Sequence, residues 1–265
     1  MAWPRSLLIV GCGNMGGAML AGWLAGGLDP ARVTIFDPNL AAAPTGTTLL
    51  RELAGGRFDM VLLGVKPQLL GEVAPALVAP ETILISILAG VELASLAERF
   101  PAAKAIVRVM PSLAAAIGKS PVALAARGLD EAGRTAVTAL MEPLGMPQWL
   151  DEAQFDLITA LVGSGPAFVY RFIDALAAGA TTLGLEAGPA QQFALAMVEG
   201  AAILAATSDH TPDELAARVA SPGGTTRAGL DVLDADGALA RLVEQTLRRA
   251  RDRGTELAEA ARTGG

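Results

Sequence analysis

An uncharged apolar run, Leu7 to Val10, leads directly into Gly11-Cys12-Gly13-Asn14-Met15-Gly16, and this join constrains the fold more than any other feature of the chain. A short apolar run stopped by glycine reads as a buried strand. The stretch Asn14 to Ala25, closed by Gly26-Gly27, reads as a helix. A strand that becomes a helix through G-x-G-x-x-G needs each glycine for a different reason. Gly11 permits the sharp turn, Gly13 lets backbone approach a pyrophosphate, and Gly16 lets helix and strand pack closely. The helix start then offers free N–H groups and a positive dipole end to phosphate. Dinucleotide binding is the expectation.

The rest of the first half has the matching rhythm. Apolar runs at Val33 to Phe36, Met60 to Val65, Thr82 to Ile87, Ala105 to Val109 and Val122 to Ala125 alternate with helix-like stretches. Gln148 to Leu150 adds a last short strand. Continuous apolar strands separated by helices predict a parallel sheet covered on both faces. After residue 152 no β-branched runs remain, and Phe155 to Leu183, Ala190 to Thr207, Pro212 to Val219, Thr225 to Leu233 and Ala238 to Ala261 read as helices. Thr211 and Glu214 form a capping box with Pro212 in the first turn. The expected fold class is α/β then all-α: a Rossmann-type domain over residues 1–152 and a helical domain over 153–265. The Ala-rich helices of the second suggest subunit packing.

Composition removes several function classes. The net charge is -7 and aromatic residues make up 4% of the chain, so a nucleic-acid partner is not expected. One Cys (Cys12) and one His (His210) allow no internal disulfide and no Cys/His zinc site, and fit a reducing cytoplasm. No metal site is expected. Ser164 lacks the glycines two before and two after it that a hydrolase nucleophile elbow requires. Residues 7–28 carry no charge, but their seven glycines and Asn14 favour a strand-turn-helix over a membrane segment. His210 reads as a residue before a helix cap, and Arg248, Arg249, Arg251 and Arg253 as a solvated face.

Four further features bear on chemistry. Asp37 ends the second strand near the position of a ribose-binding acid, about 20 residues past the glycine loop; it also suits the start of the turn Asp37-Pro38-Asn39. No Arg or Lys lies between Asp37 and Arg51 to hold a 2′-phosphate, so the residues lean toward NADH. Lys66, at the carboxyl end of its strand, is either a cofactor or substrate contact or a solvated charge. Ser221-Pro222-Gly223-Gly224-Thr225-Thr226, opening a helix, forms an anion nest suited to a carboxylate. Gly163-Ser164-Gly165-Pro166-Ala167 interrupts the long helix, as a close-packing point or a second wall of the site.

Together these residues give a chain that resembles the pyrroline-5-carboxylate reductases over nearly its whole length. The resemblance rests on the first loop, Val65-Lys66-Pro67, Ala89-Gly90-Val91, Arg108-Val109-Met110-Pro111, Gly163 to Ala167, and above all Ser221 to Thr226 with Gly229-Leu230. It implies a Rossmann domain followed by a helical domain that pairs with a second subunit, a homodimer or larger homo-oligomer. It also implies reduction of 1-pyrroline-5-carboxylate, a cyclic imino acid, to L-proline by NADPH or NADH in the last step of proline biosynthesis. Thr226 maps to the catalytic hydroxyl near the ring nitrogen, and Ser221, Gly223, Gly224 and Thr225 to the carboxylate loop. Glu152 maps to an acidic position near the substrate. Cofactor contacts map to Val10, Gly11, Cys12, Gly13, Asn14, Met15, Asp37, Gly64, Val65, Lys66, Pro67, Ile87, Leu88 and Ala89, with Gly16 packing the loop. The family's Met-Pro is usually followed by Asn, where this chain has Ser112, which places the nicotinamide end in question. The alternatives are a related dehydrogenase of hydroxy acids or other imines, and a non-catalytic dinucleotide-binding regulator. A related dehydrogenase would be expected to carry a catalytic lysine after the junction, and residues 153–265 contain none.

Overall fold

A computed structural model describes residues 3–52, 56–73 and 75–263. The chain divides into two compact units: one of residues 1–163 and 249–265, the other Ser164–Arg248. The sequence reading divides the chain after residue 152, where strands give way to helices. By packing, the first helical residues after that point and the end of the last helix belong with the sheet.

The first unit is built on an eight-stranded sheet. Its strands are β1 (Leu7–Val10), β2 (Val33–Phe36), β3 (Thr48–Leu50), β4 (Met60–Leu63), β5 (Ile83–Ser86), β6 (Ala105–Met110), β7 (Ser120–Arg127) and β8 (Gly145–Trp149). They lie in the order β3-β2-β1-β4-β5-β6-β7-β8. The first six run parallel, as expected, but β7 runs antiparallel to β6, and β8 is parallel to β7. The wholly parallel sheet is corrected here, for a reason of chain length. Only Pro111 to Lys119 joins β6 to β7, which is shorter than the dozen or so residues a parallel crossover requires. β3 has no counterpart in the sequence reading. It is three half-exposed residues at the sheet edge, too short to show a periodicity. The link from β2 to β3 holds Pro38, Pro44 and Gly46, which stop a helix forming there.

Helices cover both faces. They are α1 (Asn14–Ala25), α2 (Leu93–Arg99), α3 (Glu131–Met141) and the short α4 (Phe155–Ile158). Alternation along each strand sends Leu7 and Ile9 into one core and Leu8 and Val10 into the other. Both faces are therefore dry, which explains why the strands read as unbroken apolar runs. Trp23 of α1 is fully buried and its Nε1–H donates to the Leu140 carbonyl at 2.7 Å.

After α4 the helix read over Phe155 to Leu183 is interrupted, as expected near Gly163 to Ala167. Thr159–Gly163 forms a π-helical turn, and α5 (Gly165–Thr182) starts afresh from Ser164. Then follow α6 (Ala187–Thr207), α7 (Pro212–Val219), α8 (Thr225–Asp234) and α9 (Ala238–Thr263). The Thr211–Glu214 capping box is present at α7. Within the second unit, α5 and α6 pack through Ala177, Ala190 and Ala194. Small side chains bring the helices close but bury little apolar area, and Tyr170, Phe172, Phe193, Met197, Ile203 and Leu204 remain exposed.

Candidate active site

The strand order reverses between β1 and β4: β1 leads to β2 on one side, and β4 leads to β5 on the other. Ligands of open α/β sheets bind in the crevice beyond the carboxyl ends at such a point. Here the crevice is lined by Val10 to Gly16 after β1 and Gly64 to Pro67 after β4. The two backbones touch. A Cβ on Gly64 would lie 2.5 Å from the Gly11 carbonyl oxygen, and one on Gly11 would lie 2.8 Å from the Val65 nitrogen. Gly11 also has φ +88°, a conformation open to glycine but strained for other residues. Gly16 packs α1 against the loop, since its Cβ would fall 2.7 Å from the Gly11 oxygen.

Gly13 differs from these three. A Cβ there meets nothing within 4 Å, and the residue is exposed. No neighbour within the protein requires glycine at this position, whereas a pyrophosphate approaching the backbone would. No side chain caps α1 and no acidic residue stands in its first turn. The first amides of α1 are thus left for an anion, so the residues present fit a dinucleotide.

Of the two roles the sequence leaves open for Asp37, the structure shows the turn starter, and it adds a bond to the glycine loop. Its Oδ2 accepts the Cys12 N–H at 2.9 Å, and its Oδ1 accepts the Asn39 N–H at 2.9 Å. It therefore starts the turn and also fixes the glycine loop. Cys12 is buried beside it, and burial, followed by the Asp37 charge, pushes the thiol pKa up. Lys66 is exposed at the end of β4 and heads the 3₁₀ turn Pro67–Glu72. After β5, Ile87 is half-buried, Leu88 buried and Ala89 exposed. Ser112 is buried rather than open to the crevice. Its N–H donates to Ser120 Oγ at 2.8 Å, and the two hydroxyls lie 3.3 Å apart.

Glu152 is engaged within the first unit. Its Oε1 accepts from the Leu93 N–H at 2.7 Å and from Arg108 Nη1 at 2.7 Å. Arg108 is 4% exposed and lies over the Phe155 ring. In the sequence Arg108 stands out only within Arg108-Val109-Met110-Pro111, although it is the one charge in the run Ala105 to Met110. Gly163 packs closely, since its Cβ would lie 3.4 Å from Met110 Sδ.

In the second unit Ser221 to Gly224 turn into α8. Gly223 has φ +68°, and a Cβ on Gly224 would strike Ser221 Oγ at 2.5 Å. The Gly224 N–H donates to the Ser221 carbonyl at 3.0 Å, so that amide closes the turn. Donors for an anion are then those of the first turn, Thr225, Thr226 and Arg227, again with no capping side chain and no acid in that turn. Ser221, Thr225 and Thr226 are exposed.

Comparison with known proteins agrees with this layout. Residues 152–257 match the family described as pyrroline-5-carboxylate reductase dimerisation, and residues 6–90 match NADP oxidoreductases, coenzyme F420-dependent. The chain is 35% identical to the pyrroline-5-carboxylate reductase of Pseudomonas aeruginosa over 98% of both chains. It is 41% identical to that of Aquifex aeolicus over 68% of both. The solved pyrroline-5-carboxylate reductase of Coxiella burnetii superposes with a TM-score of 0.87 at 28% identity, covering 96% of this chain and 98% of that one. A parallel-dominated Rossmann sheet, an uncapped glycine loop and a helical region that follows the dimerisation pattern thus occur together in one chain, and it belongs to the pyrroline-5-carboxylate reductase family.

Proposed function

We propose that this protein reduces the C=N bond of 1-pyrroline-5-carboxylate to give L-proline. The observation that carries the reading is the presence of two uncapped helix starts with no acid in the first turn, one in each unit, at Gly13 and Gly224, in a chain similar over 98% of its length to such a reductase. A reduced nicotinamide, when bound, supplies a hydride; one proton from solvent completes the reduction, and NAD(P)⁺ leaves.

The residues have limited work to do. The first amides of α1 hold the pyrophosphate, with Gly64 to Pro67 and Ile87 to Ala89 along the same edge. The amides at the head of α8, with Ser221 and Thr225, hold the substrate carboxylate. Thr226 donates a hydrogen bond to the ring nitrogen and helps it take up its proton. A protonated imine is already a good hydride acceptor, so orientation supplies most of the rate and no strong general base is needed. Glu152 acts indirectly, by holding Leu93 and Arg108, rather than on the substrate. The exposed apolar face of α5 and α6 packs against a second copy of the chain, giving a homo-oligomer.

Addition of 1-pyrroline-5-carboxylate should oxidise NADH or NADPH in the presence of the protein. Absence of turnover with both would reject the reading. Thr226→Ala should lower kcat/KM by roughly 10- to 1000-fold, the scale of a lost catalytic hydrogen bond. Wild-type turnover in that variant would remove Thr226 from the chemistry.

A further inference from the structure

The sequence places Arg51 fourteen residues beyond Asp37, too far along the chain to be taken for its neighbour. The sheet removes that distance. β3 pairs in parallel with β2, setting Leu50 beside Phe36, so the residue after each strand emerges at the same edge. There the Arg51 side chain folds back over the turn, and its Nη1 donates to the Asp37 carbonyl at 3.1 Å and to the Pro38 carbonyl at 3.0 Å. The side chain is exposed, and among the described residues its Nε and Nη2 donate no hydrogen bond.

We propose that Arg51 is a specificity-determining residue that receives the 2′-phosphate of NADPH, a proposal that rests on the dinucleotide reading of the Gly11–Gly16 loop. Asp37 stands where a ribose-binding acid belongs, and an adenosine 2′-substituent would meet the turn that Arg51 covers. A guanidinium anchored through one nitrogen keeps the rest of its planar fork for phosphate oxygens. The Asp37 carboxylate opposes such a phosphate, but each of its oxygens already accepts a backbone N–H, which draws off part of its charge. The lean toward NADH, read from Asp37 and the lack of a cation before Arg51 in the sequence, is therefore countered by Arg51 itself, which the sheet brings back to the turn.

The test is fluorescence titration of the full-length protein, and of Arg51→Ala and Arg51→Gln, with NADPH and with NADH. Glutamine still donates a hydrogen bond to a carbonyl but carries no charge. Both variants should raise the ratio Kd(NADPH)/Kd(NADH) by about 10- to 100-fold, the loss of one charge-assisted contact. An unchanged ratio overturns the proposal, whether both cofactors weaken together or neither does, because Arg51 would then only clamp the turn. If the wild-type protein binds neither cofactor, the dinucleotide reading fails and this proposal falls with it.

Discussion

Asp37 links the glycine loop to the end of β2, and the cost of removing it can be estimated. In Asp37→Ala the part-buried Cys12 N–H loses its acceptor, and an orphaned donor costs about 1–3 kcal/mol. For a domain of this size that lowers Tm by about 2–12 °C. A thermal melt identical to wild type would show that the loop does not depend on this bond. Cys12 yields a second prediction from the same place. Its pKa is raised, first by burial and then by the Asp37 carboxylate, so the thiolate is scarcer than in a free cysteine at any given pH below the raised value. Alkylation by iodoacetamide at pH 8 should be at least about 10-fold slower than for a free thiol. Labelling at the rate of an exposed cysteine would contradict the buried placement. Asp37 was legible in the sequence as a ribose acid or a turn starter, but its bond to Cys12 was not, because that bond depends on β1 and β2 lying side by side. Arg51 was hidden for the same reason.

At the scale of elements, the join between sheet and helices rests on Arg108 and Glu152. Arg108 leaves the middle of β6, passes over Phe155 of α4 and meets Glu152 just before it, while the same carboxylate oxygen holds the start of α2. Glu152→Ala would leave a guanidinium buried without its counter-charge, at a cost on the order of 3 kcal/mol given that Glu152 is itself partly exposed. Tm should fall by about 6–12 °C. Loss of activity without loss of stability would instead return Glu152 to the substrate. The strands were readable because burial on both faces leaves an unbroken apolar run, as at β1 and β4. Direction was not, since side-chain pattern is blind to it, and β7 reverses only because the link from β6 is short. The break before α5 was legible in Gly163-Ser164-Gly165-Pro166, but its π-helical turn was not, as Thr, Ala, Leu and Val suit a helix of either pitch.

For the whole molecule, the thin alanine core of the second unit and the apolar side chains around it determine the expected assembly. The helix Ala187–Thr207 is long and apolar enough to cross a membrane, yet only 11% of that stretch is buried within the chain. It falls inside the stretch that matches the reductase dimerisation family, which favours a second copy as its cover. Light scattering should give at least twice the chain mass, and a monomer at micromolar concentration would contradict that. The proposed reaction is hydride transfer from a reduced nicotinamide dinucleotide to the C=N bond of 1-pyrroline-5-carboxylate. It is tested most directly by turnover of 1-pyrroline-5-carboxylate with cofactor deuterated at the transferring position of the nicotinamide, followed by mass spectrometry of the product. The account predicts proline carrying a single carbon-bound deuterium. Unlabelled proline, or oxidised cofactor with no proline formed, would contradict it.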